Sequence, residues 1–156
     1  MKNILFVCTG NSARSIIAET IMDNKYKKKF KAFSAGSKPS GKINEHVKKF
    51  LENRNFDLSG YYSKNFNDFL KNDIKFYQVF TVCSNANNEV CPVWPEKDKI
   101  IHWDLDDPVV KIQKAKSDDE INSIIANTYN IIEKKIEDWI KDCLLYTSDA
   151  ADDMAS

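Results

Sequence analysis

Cys8 closes the apolar run Asn3 to Val7, and Arg14 follows with Thr9, Gly10, Asn11, Ser12 and Ala13 between them. A thiol and a guanidinium at that spacing suit a tetrahedral oxyanion. The sulfur attacks the central atom while the planar fork grips two oxygens. The amides of Thr9 to Arg14 can curl into a nest at a helix N-terminus, where N–H groups and the dipole favour an anion. Gly10 and Asn11 suit the left-handed conformations such a curl requires. Amides, dipole and the Ser15 hydroxyl would then stabilise a Cys8 thiolate. The plainer reading is a buried core cysteine on a strand that turns through Gly-Asn. The C-x₅-R-S spacing between a strand and a helix favours the chemical one.

Two more stretches carry reactive groups. Cys83 and Cys91 flank the polar loop "SNANNEV", and "DLDDP" (Asp104 to Pro108) gathers three acids before a proline. The cysteine pair could be a redox relay, a structural disulfide or half of a zinc site. Zinc wants four ligands and only His102 lies nearby in sequence, so no metal is expected. His46 and His102 read as structural, and Trp94, Trp103 and Trp139 as packing residues.

Strands must carry these groups to one edge. Asn3 to Val7 reads as a strand buried on both faces, followed by a helix from about Arg14 to Lys29. A short strand covers Lys31 to Ser37. An amphipathic helix follows, with Ile43, Val47, Phe50 and Leu51 as its inner stripe, and a short helix over Asn65 to Asn72. Strands are expected at Phe76 to Val82 and Lys99 to Trp103, and a last helix at Ser117 to Asp142, where Ser117 and Glu120 make a capping box. Strands alternating with helices predict an α/β fold with a parallel, doubly wound sheet. Ligands bind outside the carboxyl ends of such strands. Cys8, Cys83 and "DLDDP" each follow one of those ends.

The chain has 156 residues and 42% hydrophobic content, ordinary for one globular domain. Lysine plus arginine and aspartate plus glutamate both number 23, a balance that argues against nucleic acid or an anionic membrane as partner. No apolar run approaches the ~20 residues of a membrane span. The N-terminal run lacks a signal-peptide cleavage site. A cytoplasmic protein with reduced thiols is expected. The stretch Cys143 to Ser156 turns small and acidic, and its first eleven residues resemble one reading frame of a transposase sequencing adapter. It is set apart as a non-native tail, leaving residues 1–142 as a single domain.

Three motifs, "CTGNSARS", "TVCSNANNEVCPVWP" and "HWDLDDP", with "FSAGS" between the first two, resemble the low-molecular-weight protein tyrosine phosphatase superfamily, and its arsenate reductase branch more closely. The resemblance covers Met1 to about Lys141. It implies a three-layer fold in which helices flank a four-stranded parallel sheet. Cys8 would be the nucleophile, Arg14 the oxyanion clamp and Asp107 the general acid. Cys83 and Cys91 would form a relay: a Cys8–Cys83 disulfide as arsenite leaves, then a Cys83–Cys91 disulfide reduced by thioredoxin, or by glutathione and glutaredoxin. No cofactor is implied. Phosphatases of this superfamily follow the Asp-Pro with a tyrosine pair, where this chain has Val109 and Val110. Hydrolysis of phosphotyrosine or small phosphoesters is the alternative activity, and a phosphocysteine carrier a third.

Two departures from the family stand out. Ala13 replaces a second loop cysteine that many relatives carry. Asn11, Glu19 and Ser34 match three side chains that hold a monovalent cation in some reductases, but Lys64 stands where the fourth, an acid, would be. Its ammonium could take the cation's place or lie in solvent.

Overall fold

The computed structural model describes the backbone of residues 1–84 and 94–155, with side chains up to residue 143. Strands β1 (Lys2–Cys8), β2 (Phe30–Gly36), β3 (Gln78–Thr81) and β4 (Ile100–His102) form one parallel sheet in the order β2-β1-β3-β4. The helices are α1 (Arg14–Lys25), α2 (Glu45–Asn53), α3 (Asn67–Leu70), α4 (Pro108–Lys114) and α5 (Asp118–Ala155). The α/β sheet predicted from the sequence is the one observed.

Alternation along β1 sorts the core into two layers. Ile4, Phe6 and Cys8 join the cluster built by α1, α2 and α5, while Leu5 and Val7 join Phe69, Phe76, Val79 and Trp94 on the other face. Phe80 binds the first layer together, stacked on Phe6 at 5.1 Å and tilted against Trp103 at 4.3 Å between ring centroids. Trp94 and Trp103 are buried and Trp139 packs against the first layer, as expected. Val47 and Leu51 are the buried part of the α2 stripe, with Ile43 and Phe50 packed partly buried beside them.

Strand ends and the short α3 shift by one or two residues from the sequence reading, and three helices depart from it further. α1 stops at Lys25 rather than Lys29, because the chain must turn through 26–29 to enter β2. α4 was not expected. Its seven residues present Pro108 and Ile112 as the buried side, too short a repeat to read as periodic. α5 does not end at Asp142 but continues to Ala155. The stretch beyond Asp142 holds no glycine or proline to stop it, and alanine-rich sequence favours continuation. Half of the expected capping box forms at its start: Glu120 N donates to Ser117 Oγ at 3.1 Å, while Glu120 Oε2 accepts from Lys116 N, one residue before the cap, at 2.7 Å.

Candidate active site

β1 and β3 are neighbours, yet their onward connections run to opposite sides of the sheet, one to β2 and the other to β4. That reversal opens a crevice at their carboxyl ends. Cys8 is the last residue of β1, and the β1–β3 ladder ends with Val7 opposite Thr81. Val82 N donates to Val7 O at 2.9 Å, so Cys83 leaves the adjacent strand at the same edge. Both thiols are buried, at 2% and 0% exposure. Cys91 lies outside the described residues.

The loop from Thr9 to Ala13 owes its shape to a strap formed by residues 37–44. Ser37 N, Lys38 N, Ser40 N and Asn44 N donate to the carbonyls of Cys8, Thr9, Gly10 and Ser12, at 2.9 to 3.1 Å. The Ser63 hydroxyl adds a bond to Gly10 O at 3.2 Å. Turning these carbonyls outward turns N–H groups the other way. Asn11 N accordingly points at Cys8 Sγ, 3.2 Å away. Asn11 alone in the loop is left-handed, with φ 48; Gly10 does not share that conformation, contrary to expectation. Gly36 has a role the sequence reading missed: a Cβ there would stand 2.5 Å from Thr9 O and 3.0 Å from Asn11 N. The last residue of β2 must be bare for the loop to lie against it.

Hydrogen-bond directions around Cys8 follow from one amide. Lys64 N–H can only donate, so its 2.9 Å partner on Asn11 is the carbonyl oxygen. The Asn11 amide nitrogen then donates to Ser15 Oγ at 2.7 Å and to Ser34 Oγ at 2.9 Å. Ser15 Oγ still has its hydrogen for Cys8 Sγ, 2.9 Å away, and toward a thiolate, which can only accept, it is the donor. Ser34 likewise donates to Glu19 Oε1 at 2.6 Å. Two donors, Asn11 N and the Ser15 hydroxyl, thus face a Cys8 thiolate.

Arg14 opens α1, where Ala13 at the N-cap offers no side-chain cap. Its guanidinium is buried, with Nη1 donating to Leu105 O at 2.9 Å and Nη2 standing 3.7 Å from Asp107 Oδ2. Asp107 caps α4: its Oδ1 accepts from Val109 N at 2.9 Å, with Pro108 in the first helical turn. One Asp107 oxygen is fixed by the helix and the other faces the clamp. Asp106 lies elsewhere, its two oxygens meeting Ser84 Oγ and Lys111 Nζ. His102 Nδ1 pairs with Thr81 Oγ1 at 2.8 Å, and His46 sits on α2.

Lys64 neither lies free in solvent nor joins the Asn11–Ser34–Glu19 chain through its ammonium. Its Nζ donates to Tyr62 O at 2.8 Å and sits over the Tyr62 ring, 4.5 Å from the centroid. Burial pushes its pKa down, and the charge of Glu19 opposes that. Burial pushes Glu19 up to about 7, against the opposing Lys64 charge and the Ser34 bond. A raised carboxyl pKa means that the folded state binds the extra proton between about 4.5 and 7. The Glu19 contribution to stability therefore falls as pH rises through that window, by on the order of 3 kcal/mol in full. Glu19→Gln, which keeps an acceptor for Ser34, removes that slope. Urea melts at pH 5 and pH 8 should show the variant gaining on the parent only at pH 8.

The structure thus brings together Cys8, the loop from Thr9 to Ala13, Arg14, Ser15 and Asp107, with Cys83 at the neighbouring strand end. Among the described residues no cluster of metal-ligating side chains occurs. Residues 3–145 match the low molecular weight phosphotyrosine protein phosphatase family. Arsenate reductase 1 of Staphylococcus epidermidis is 38% identical over 112 residues, which is 70% of this chain and 80% of that protein. Arsenate reductase 1 of Bacillus cereus is 37% identical over 109 residues, 69% of this chain and 77% of that one. The crystal structure of an arsenate reductase from Archaeoglobus fulgidus superposes with a TM-score of 0.66 at 25% identity, covering 86% of this chain and 98% of the other. A strand-end cysteine, an outward-strapped anion loop and an arginine shared with an Asp-Pro cap are thus the local form of a known architecture, and the chain belongs to the low molecular weight phosphotyrosine protein phosphatase family.

Proposed function

We propose that this protein reduces arsenate to arsenite. The observation that carries the reading is a second buried thiol, Cys83, leaving the strand beside Cys8 at the edge where Arg14 and Asp107 meet. A phosphatase needs the first thiol, the clamp and the acid; only a reductase needs the second thiol. The relatives named arsenate reductase support the same choice. So do Val109 and Val110, which offer no aromatic surface to a phosphotyrosine ring.

Arsenate sits in the loop as the anionic cap that Ala13 does not provide, with Arg14 gripping its oxygens. The Cys8 sulfur attacks arsenic, and Asp107 Oδ2 protonates the departing oxygen, which leaves as water. Cys83 then attacks the Cys8 sulfur. The Cys8–Cys83 bond forms, the sulfur–arsenic bond breaks, and its electron pair stays on arsenic, which leaves as arsenite. Cys91 attacks Cys83, frees Cys8 and moves the disulfide to Cys83–Cys91. A dithiol protein of the thioredoxin type supplies the two electrons that reopen it; glutathione with glutaredoxin is the alternative donor. A cytoplasmic setting keeps these thiols reduced, and no helix among the described residues is long and apolar enough to cross a membrane.

The deciding experiment measures arsenite release with a thioredoxin system beside phosphate release from an aryl phosphate. Arsenite turnover well above phosphate turnover is expected; phosphate release alone would overturn the reading. Asp107→Asn should slow poor leaving groups by about 10²-fold or more and good ones much less. Equal losses across a series of aryl phosphates would place the acid elsewhere.

A further inference from the structure

Three consecutive residues after β4 each reach a different part of the site. Leu105 N–H donates to Cys83 O at 3.2 Å, while Leu105 O accepts from Arg14 Nη1 at 2.9 Å. Asp106 Oδ1 accepts from Ser84 Oγ at 3.3 Å, and Ser84 is fully buried. Asp107 faces Arg14 and caps α4. A single residue, Leu105, therefore joins the anion clamp to the backbone of the second thiol, and Asp106 fastens the next residue of that strand end.

Resting on the reading of Cys83 as the thiol that resolves the arsenic adduct, we propose that Asp106 is a positioning residue for Cys83, acting through Ser84. The other Asp106 oxygen stands 3.4 Å from Lys111 Nζ, but that pair is exposed and contributes little. The Ser84 bond is the contact that reaches the interior. Together with the Leu105 N–H it fixes the chain at Cys83 and immediately after it. Cys83 must bring its sulfur into line behind the Cys8–arsenic bond, so that the new disulfide forms as the electron pair passes to arsenic. Orientation of this kind governs the effective concentration of an intramolecular nucleophile. Hydrolysis of a phosphoester at Cys8 does not use it.

The test compares the parent with Asp106→Ala, Ser84→Ala and Asp106→Asn. Three rates are read: arsenite release in a single turnover without external thiol, hydrolysis of p-nitrophenyl phosphate, and iodoacetamide labelling of Cys83 located by peptide mass. In Asp106→Ala and Ser84→Ala, arsenite release should fall about tenfold and Cys83 labelling rise about tenfold, with hydrolysis changed by less than about threefold. Asp106→Asn, whose amide oxygen still accepts from Ser84, should stay near the parent. A general loss of structure would lower hydrolysis too, so arsenite and phosphate release falling together would overturn the proposal. Unchanged Cys83 labelling in both alanine variants would also overturn it. If the parent hydrolyses the aryl phosphate but reduces no arsenate, the reduction reading fails by itself. Labelling in the same variants then still decides whether Asp106 holds Cys83.

Discussion

Cys8→Ser will release neither arsenite nor phosphate, with a loss of roughly 10⁴-fold or more against a protein that remains folded. A serine oxygen can take over both contacts at the position, from Asn11 N and with the Ser15 hydroxyl, so the buried site stays hydrogen-bonded. The stability cost should be no more than about 1 kcal/mol. What is lost is the nucleophile, because a hydroxyl at neutral pH is a poor substitute for a thiolate. Arg14→Lys should also weaken both activities, by about 10²- to 10³-fold, since an ammonium cannot bond Leu105 O and two substrate oxygens as a planar fork does. Circular dichroism and a urea melt establish the fold, and the two release assays read the effect. Near-normal turnover in folded Cys8→Ser would remove that residue from its role.

Cys91→Ser separates one reduction from many. Cys8 and Cys83 suffice to form one disulfide and free one arsenite, so a burst of about one equivalent per chain should survive. Steady turnover with thioredoxin should then collapse, because the oxidised pair lies between two strand ends that are each almost wholly buried. Cys83→Ser should fail earlier, releasing no arsenite unless a small thiol substitutes. Aryl phosphate hydrolysis should persist in both variants. Mass spectrometry after one cycle should find the Cys8–Cys83 bridge in Cys91→Ser and the Cys83–Cys91 bridge in the parent. Full multiple turnover by Cys91→Ser would leave a two-thiol mechanism in place of the relay.

The parts of this architecture that were legible in sequence are those written in contiguous residues. A continuous apolar strand ending in cysteine, then small polar residues, then Arg14 at a helix start, is a local pattern, and Cys8 and Arg14 sit where it placed them. The α4 start was equally local, with aspartate at the cap and proline in the first turn. In sequence that pair points to acid chemistry, while the seven residues behind it are too few to show a helical period. Other features are non-local. Nothing near Gly36 says that Thr9 O will approach it, since the contact exists only once β2 pairs beside β1. What stands out in sequence at Lys64 is its ammonium, whereas its contribution to the loop is the backbone N–H, a group that every residue except proline carries. By sequence Asp106 is one of three acids in "DLDDP", and its bond to Ser84 exists only once β4 pairs beside β3.

That Lys64 N–H has a consequence for transplantation. It holds the Asn11 amide one way round, and the amide in turn donates to Ser15 Oγ and leaves that hydroxyl's hydrogen for a Cys8 thiolate. Copied into another strand–helix junction, the eight residues Cys8 to Ser15 would bring the thiol and the guanidinium with them. The direction in which the hydrogens run would stay behind, along with the bare Gly36 that lets the loop settle. A graft would need a donor at the Lys64 position and a side-chain-free neighbour before its cysteine behaved as this one is built to.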